Sequence, residues 1–153
     1  MKEIEDRMRE LGVVLSEPAK PIAAYLPGIQ TNNLLFISGQ LPTKDGQLLY
    51  TGKLGLDLDI AQGQDAARQC IINCMSILKQ HAHNWEQLVQ IIKLTGYVQS
   101  ADDFYEQAQV INGASELLQK VFGEKGRHAR AAIGVNALPL NAPCEIEMIA
   151  LLK

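Results

Sequence analysis

The chain has 153 residues, of which 47% are hydrophobic, and a formal net charge of −3. This length and composition suit one soluble domain around a single core. The apolar runs are at most about five residues long, far short of a membrane-spanning helix. The acidic balance and the lack of a lysine or arginine cluster argue against a dedicated nucleic-acid surface. The charged N-terminus lacks the apolar stretch of a secretory signal, so we expect a cytoplasmic protein.

The first 20 residues predict a short helix and an extended segment. Apolar residues recur at spacings of four and three over residues 3–11, which indicates a helix that ends at Gly12. Pro18 and Pro21 then favour an extended crossing. We interpret residues 1–20 as an N-terminal extension of a single domain that covers residues 1–153.

Two strands and a loop are predicted next. Residues 22–30 and 33–38 are the strand candidates, and Thr31-Asn32-Asn33 between them has the composition of a hairpin turn. Residues 43–58 contain several glycines and predict a loop.

Two long helices flank a third strand. Apolar residues at helical spacing predict a helix over about residues 60–82, with Asp59 at its N-terminus. Residues 88–98 are rich in strand formers. Ser100 is then expected to cap a second helix that ends at Gly123.

The last two predicted strands cover about residues 131–137 and 143–152, which gives the order α-β-β-α-β-α-β-β. This order favours an α+β fold, with an antiparallel or mixed sheet and both long helices on one face. Several strands are apolar at odd and even positions alike, as in Leu34-Leu35-Phe36-Ile37. Both faces of such a sheet need cover. Because two helices cover only one face, we expect the other to be buried against copies of the chain in a closed oligomer.

Arg130 and Glu145 are the main candidates for an active site. Each stands near the start of one of the last two strands, and we expect these strands to form a hairpin that holds the two side chains side by side. Arginine is the side chain best shaped to bind a carboxylate through two parallel hydrogen bonds. A glutamate beside it would move a proton or orient a water molecule. Taken singly, each residue also fits an ordinary surface position at a strand end.

Further candidates are Ser38, Gly39, Tyr25 and His128. Ser38 and Gly39 end a predicted strand, where a hydroxyl and exposed backbone N–H groups could face a ligand. An ordinary glycine-containing turn has the same pattern. Tyr25 falls in the middle of a predicted strand, and His128 lies two residues from Arg130 and could line the same pocket.

The cysteines and histidines do not predict a metal site. Cys70 and Cys74 share one face of the first long helix, and with Cys144 they are expected to be reduced, buried thiols. Two sulfurs are too few for zinc, and the three histidines lack metal-ligand spacing. The chain also lacks a phosphate-binding glycine loop and a serine nucleophile elbow.

Several segments together resemble the Rid family, the YjgF-like proteins also known as L-PSP endoribonucleases. The resemblance covers most of residues 20–153. It rests on Phe36-Ile37-Ser38-Gly39-Gln40-Leu41-Pro42, on Arg130 with Leu138-Pro139, and on Glu145-Ile146-Glu147. Two stretches also resemble a longer subgroup of the family, at residues 112–118 and 126–130.

The resemblance implies a chorismate-mutase-like fold assembled as a homotrimer, with active sites in the clefts between subunits. Family members of the deaminase type hydrolyse enamines and imines released by pyridoxal-phosphate enzymes, giving a 2-oxo acid and ammonia. No metal or organic cofactor is required. Carried over to this chain, Arg130 would bind the substrate carboxylate and Glu145 would activate or position the water. Ser38 and Gly39 would line the pocket, and Tyr25 would border it.

The chain departs from the best-known family members in three places. Many of them carry a cysteine two residues after the arginine, where this chain has Ala132. The missing thiol matters little if the backbone N–H there makes the contact. The N-terminal helix is extra, and the loop at 43–58 carries more glycine. These two differences could reshape the pocket mouth, so the resemblance does not define the substrate.

Two other classes of function compete with the deaminase. A non-catalytic binder of 2-oxo acids would use the same cleft, but it would need only Arg130, so the presence of Glu145 favours catalysis. An RNA-cleaving or translation-inhibiting protein is disfavoured by the acidic balance. A chaperone-like role is a further alternative.

Overall fold

The computed structural model describes residues 2–17 and 24–153. The predicted crossing at Pro18 and Pro21, and the start of the predicted strand 22–30, lie outside these ranges. Within them the chain forms the following helices and strands: α1 (Lys2–Glu10), β1 (Gly28–Thr31), β2 (Leu34–Gln40), β3 (Thr43–Lys44), β4 (Gln47–Leu48), α2 (Ile60–Ala82), β5 (Leu88–Gln99), α3 (Gln107–Phe122), β6 (Ala129–Val135) and β7 (Cys144–Leu152).

Five strands form one mixed sheet in the order β1-β2-β7-β5-β6. β5 and β6 are parallel, whereas the other neighbours are antiparallel. The predicted α+β architecture with a mixed sheet is therefore confirmed. The short β3 and β4 form a separate hairpin within the region predicted as a loop.

The predicted hairpin of the last two strands is wrong, because β5 lies between β6 and β7. The chain crosses over through α3 and adds β6 parallel to one edge of β5. β7 must then pair with the other edge of β5, where it runs antiparallel. A hairpin and this crossover use strands of the same local pattern, so periodicity could not distinguish them.

α2 has the predicted bounds, and its start shows why. The Asp59 side chain accepts a hydrogen bond from the backbone N–H of Gln62 (2.8 Å), and the Gln62 side chain accepts one from the N–H of Asp59 (3.0 Å). This reciprocal capping box satisfies two N–H groups that a helix start leaves unpaired.

The prediction for the start of α3 is wrong. Ser100 does not cap the helix, because its hydroxyl donates to the carbonyl of Val98 and its backbone N–H bonds to Val135. These contacts hold Ser100 at the end of the sheet. The helix begins seven residues later, at Gln107.

Both long helices pack on one face of the sheet, as predicted. From α2, the Cys70 and Cys74 thiols donate to backbone carbonyls of β7. From α3, Ile111 lies over Gly96 of β5, where a Cβ would stand 2.4 Å from Cδ1 of Ile111. The three cysteines are free and buried, as expected.

The opposite face, called the outer face below, is apolar in part and uncovered by the described residues. Phe36 on β2 is 40% exposed and Ile133 on β6 is 44% exposed. Uncovered apolar residues on a sheet favour burial against another chain. The oligomer itself stays a prediction. No helix within residues 2–17 and 24–153 has both the length and the apolarity to cross a bilayer.

Candidate active site

A bulge in β2 places Gly39 against Glu145 of β7. The pairing of β2 with β7 shifts between Ile37 and Gln40, so that Ser38 and Gly39 together oppose the single residue Glu147 of β7. At Gly39 a Cβ would stand 2.1 Å from Oε1 of Glu145 and 2.9 Å from its Cδ. Glycine at this position is therefore what allows the carboxylate to lie against the bulge.

The surroundings of Glu145 favour the protonated form of its carboxyl group. Its side chain is half-buried, and burial raises its pKa, with a smaller effect from the negative charge of Glu147. Neither a hydrogen bond nor a cation from the described residues offsets these effects. A carboxyl group with a raised pKa suits general acid–base catalysis.

Ser38 is fixed against the segment that precedes β1. Its hydroxyl donates to the carbonyl of Leu26 at 2.6 Å, and its backbone N–H donates to the carbonyl of Pro27 at 2.9 Å. The expected exposed N–H at Ser38 is therefore wrong, although the hydroxyl oxygen can still accept a hydrogen bond.

Tyr25 lies just before β1 and not in the middle of a strand, which corrects the prediction. Proline has no N–H to donate to a strand ladder, and β1 begins only after Pro27, at Gly28. Tyr25 is 55% exposed, two residues before Pro27 in the segment to which Ser38 is bonded.

Arg130 is held by α3. Its Nη1 donates to Oδ1 of Asn112 at 2.8 Å and to Oγ of Ser115 at 3.2 Å, and its Nη2 donates to the carbonyl of Ala108 at 3.4 Å. Ala108, Asn112 and Ser115 follow one stripe of the helix at spacings of four and three. The guanidinium therefore lies along this stripe.

His128 joins Arg130 through Ser115. Its Nε2 lies 2.9 Å from Oγ of Ser115, and its Nδ1 lies 2.7 Å from the carbonyl oxygen of Gly126. Burial lowers the pKa of His128; the bond to Gly126 opposes this, and the charge of Arg130 adds to it. The structure thus brings the predicted residues Arg130 and His128 together.

Within one chain, Arg130 and Glu145 do not lie side by side. Arg130 pairs with Leu94 of β5, which is buried beneath the helices. Glu145 pairs with Tyr97 of β5, whose hydroxyl bonds to Glu147 on the outer face. Because directly paired residues share a sheet face, Arg130 and Glu145 point to opposite faces. The two residues are two strand spacings apart across the sheet and three residues apart along it, so their Cα atoms are about 14 Å apart.

The predicted site residues therefore form two groups. One consists of Glu145 and Gly39, with Ser38 next to Gly39 in the chain and Tyr25 next to Leu26, to whose carbonyl Ser38 is bonded. The other consists of Arg130 and His128. Ala132 lies on the same sheet face as Arg130, because it pairs with Gly96 of β5 and packs against the core.

Sequence reasoning assigned no role to Asn112 and Ser115. The available signal was two polar residues three positions apart on a predicted helix, a spacing that puts both on one face. In the described parts of the chain, no group of three acidic, histidine or cysteine side chains is arranged to hold a metal ion.

Residues 5–152 match a family model described as "YjgF/chorismate mutase-like, putative endoribonuclease", and the chain belongs to this family. Protein TCP17 of Trypanosoma cruzi is 38% identical over 143 residues, which cover 93% of this chain and 89% of that protein. The crystal structure of a protein of unknown function from Agrobacterium tumefaciens matches with a TM-score of 0.94 at 42% identity. It covers 99% of this chain and 94% of its own.

Two more distant relatives have names that bear on chemistry. A 2-iminobutanoate/2-iminopropanoate deaminase of Dermatophagoides farinae is 25% identical over 142 residues, covering 92% of this chain and 96% of that protein. TdcF of E. coli, solved with bound serine, has a TM-score of 0.63 at 25% identity and covers 90% of this chain and 94% of its own.

Proposed function

We propose that this protein hydrolyses 2-imino and 2-enamino acids to 2-oxo acids and ammonia. The observation that carries the proposal is Glu145, a half-buried carboxyl group with a raised pKa that lies against the glycine of a strand bulge. Raised carboxyl pKa values of this kind cluster at catalytic sites. A relative named as an imine deaminase, which aligns with nearly the whole chain, supports the same chemistry.

The reaction needs one proton acceptor that later becomes a donor. Water attacks the C=N carbon of the protonated imine while Glu145 takes a proton from the water, which gives a neutral 2-amino-2-hydroxy acid. Glu145 passes this proton to the amino nitrogen and takes the proton of the 2-hydroxyl group as the C–N bond breaks. The 2-oxo acid and ammonia leave, and the proton left on Glu145 goes to the ammonia or to solvent. Arg130 binds the substrate carboxylate and so orients the C=N carbon. Such imines also hydrolyse unaided, so orientation and one general acid–base group suffice.

We place this site between chains of a homotrimer. Since Arg130 and Glu145 point to opposite faces of one sheet, a single chain cannot apply both to one small substrate. We propose that one chain supplies Arg130, His128 and Ala132, and that its neighbour supplies the group around Glu145. The uncovered apolar residues of the outer face supply a contact surface. Sedimentation at micromolar concentration is expected to show three chains per particle, and a monomer would contradict this arrangement.

The test is an assay on a short-lived substrate. 2-Iminopropionate is generated in situ from an amino acid by a pyridoxal-phosphate lyase or an amino acid oxidase, and its loss is followed with and without the protein. We expect acceleration by the parent and by Glu86→Gln, which changes an exposed glutamate remote from the site. Glu145→Gln is expected to lose most of the acceleration. Equal rates with and without the parent would refute the proposal.

A second candidate is a non-catalytic binder of 2-oxo acids. The observation in its favour is that Arg130 is held by α3 independently of Glu145. A binder would bind pyruvate without accelerating imine loss. Glu145→Gln and the parent would then both show only the uncatalysed rate.

A further inference from the structure

We infer that Asn112 and Ser115 are positioning residues for Arg130: they hold its guanidinium by Nη1 and leave the Nε–Nη2 edge for the ligand carboxylate. This inference deepens the proposed function and rests on it. It adds two residues that touch the arginine and not the substrate, together with the direction from which the carboxylate approaches.

The count of donors decides the direction of approach. A guanidinium has five N–H groups, two on each Nη and one on Nε. Both N–H groups of Nη1 are used, by Asn112 and Ser115, and one of Nη2 is directed to Ala108. Among residues 2–17 and 24–153, no hydrogen bond from Nε is found. A carboxylate that needs two parallel donors therefore meets Nε and the second N–H of Nη2.

His128 determines which way the Ser115 hydroxyl points. The carbonyl oxygen of Gly126 can only accept, so Nδ1 of His128 carries the proton in this 2.7 Å contact. In the neutral ring Nε2 is then an acceptor, and it takes the hydroxyl proton of Ser115. The oxygen of Ser115 is left free to accept from Arg130.

The surroundings keep His128 in this neutral form. Burial lowers its pKa from 6.5, and Arg130 adds to this effect. The result is a directed chain of donors from Arg130 to Ser115, to His128 and to Gly126. Each donor in such a chain polarises the next, which strengthens the series.

A guanidinium held in this way binds a carboxylate with a smaller loss of side-chain freedom. A free arginine side chain would have to be ordered when the ligand arrives, at a cost to affinity. Removing the support should therefore weaken carboxylate binding and leave the proton transfers at Glu145 unchanged.

The experiment compares Ser115→Ala and Asn112→Ala with Ser76→Ala. Ser76 is a matched control, because it is a buried helical serine on α2 whose hydroxyl, among the described residues, bonds only to the carbonyl of Ile72. Calorimetric affinity for pyruvate should fall about five- to tenfold in each of the two test variants and stay at the parent value in the control. In the imine assay KM should rise and kcat should hold, which is the pattern of a lost ground-state contact.

A spectroscopic readout separates this inference from the proposed function. In ¹⁵N NMR the side-chain signals of Arg130, assigned by their loss in Arg130→Lys, should show slow rotation of Nη1 in the parent and fast rotation in Ser115→Ala. Added pyruvate should shift the Nε signal. Parent-like pyruvate affinity in both test variants, or a freely rotating guanidinium in the parent, would overturn the inference. If the parent binds pyruvate but hydrolyses no imine, the proposed function fails and the affinities and NMR signals still decide the roles of Asn112 and Ser115.

Discussion

Gly39 and Glu145 are packed so closely that a Cβ on residue 39 would lie 2.1 Å from Oε1 of the glutamate. The clash is with the end of a flexible side chain, so Gly39→Ala should displace the carboxylate while the fold persists. We expect the melting temperature to fall by only a few degrees, since the group that must move is a flexible side chain and not the backbone. Imine hydrolysis should fall nearly as far as in Glu145→Gln.

The double variant Gly39→Ala/Glu145→Gln is the control for this prediction. If Gly39 acts only through Glu145, the double variant should be no slower than Glu145→Gln alone. Multiplicative losses would show that Gly39 has a separate role, such as direct contact with the substrate.

If Arg130 binds the substrate carboxylate and Glu145 transfers the protons, as proposed, variants of the two residues should differ in their effects. Glu145→Gln should still bind a 2-oxo acid in calorimetry but lose most of the rate, because the amide cannot accept and return a proton. Arg130→Lys should weaken binding and rate together, by about 10-fold or more, because an ammonium cannot form the planar fork. Full activity in Glu145→Gln would show that Glu145 has only a structural role at the end of its strand.

The raised pKa of Glu145 predicts how stability depends on pH. The folded state holds this proton more tightly than the unfolded state, so the stabilisation is complete below the usual glutamate pKa of 4.5 and is lost as pH rises through the higher pKa in the fold. Glu145→Gln cannot ionise and should gain stability relative to the parent as pH rises through that window.

Urea unfolding of parent, Glu145→Gln and Glu86→Gln at matched protein concentration measures this effect. The Glu86 variant accounts for the loss of one exposed carboxylate. A difference between parent and Glu145→Gln that stays constant from pH 4 to pH 8 would contradict the pKa assignment.

The buried thiols should be inert in the folded protein. Burial raises the pKa of Cys70 and of Cys74, and the thiolate is the reactive form. Although Sγ of Cys70 lies 3.7 Å from Sγ of Cys144, both are shielded by α2 and β7. A thiol-specific chromogenic disulfide should react about 100-fold or more slowly with native than with denatured protein. Rapid labelling of native protein would show that α2 separates from the sheet.

Local chemistry made much of the fold predictable. The bounds of α2 follow from its apolar stripe and from Asp59, and the turn at Asn32 follows from a residue type that tolerates the observed φ of 50°. These features depend on neighbours within a few residues. The candidate residues Arg130, Glu145, Ser38 and Gly39 could likewise be selected by residue type and by resemblance.

Their arrangement could not be predicted, because it depends on strand order. That β5 lies between β6 and β7 is decided by the crossover through α3, and the registers of β6 and β7 on β5 place Arg130 and Glu145 opposite residues 94 and 97, which face opposite sides of the sheet. Likewise, the contacts of Arg130 with Asn112 and Ser115 join residues 18 and 15 positions apart. No local pattern encodes them.

We propose that imine hydrolysis takes place at a site shared by two chains, and mixing two inactive variants tests this arrangement most directly. Arg130→Ala and Glu145→Gln are each purified, mixed in equal amounts, unfolded and refolded together. In random trimers about a quarter of the sites combine an intact Arg130 with an intact Glu145 from the neighbouring chain. We expect the mixture to recover about a quarter of the parent rate of 2-iminopropionate hydrolysis, although neither variant refolded alone is active. A mixture as inactive as its components, from a parent that refolds to full activity, would contradict the shared site.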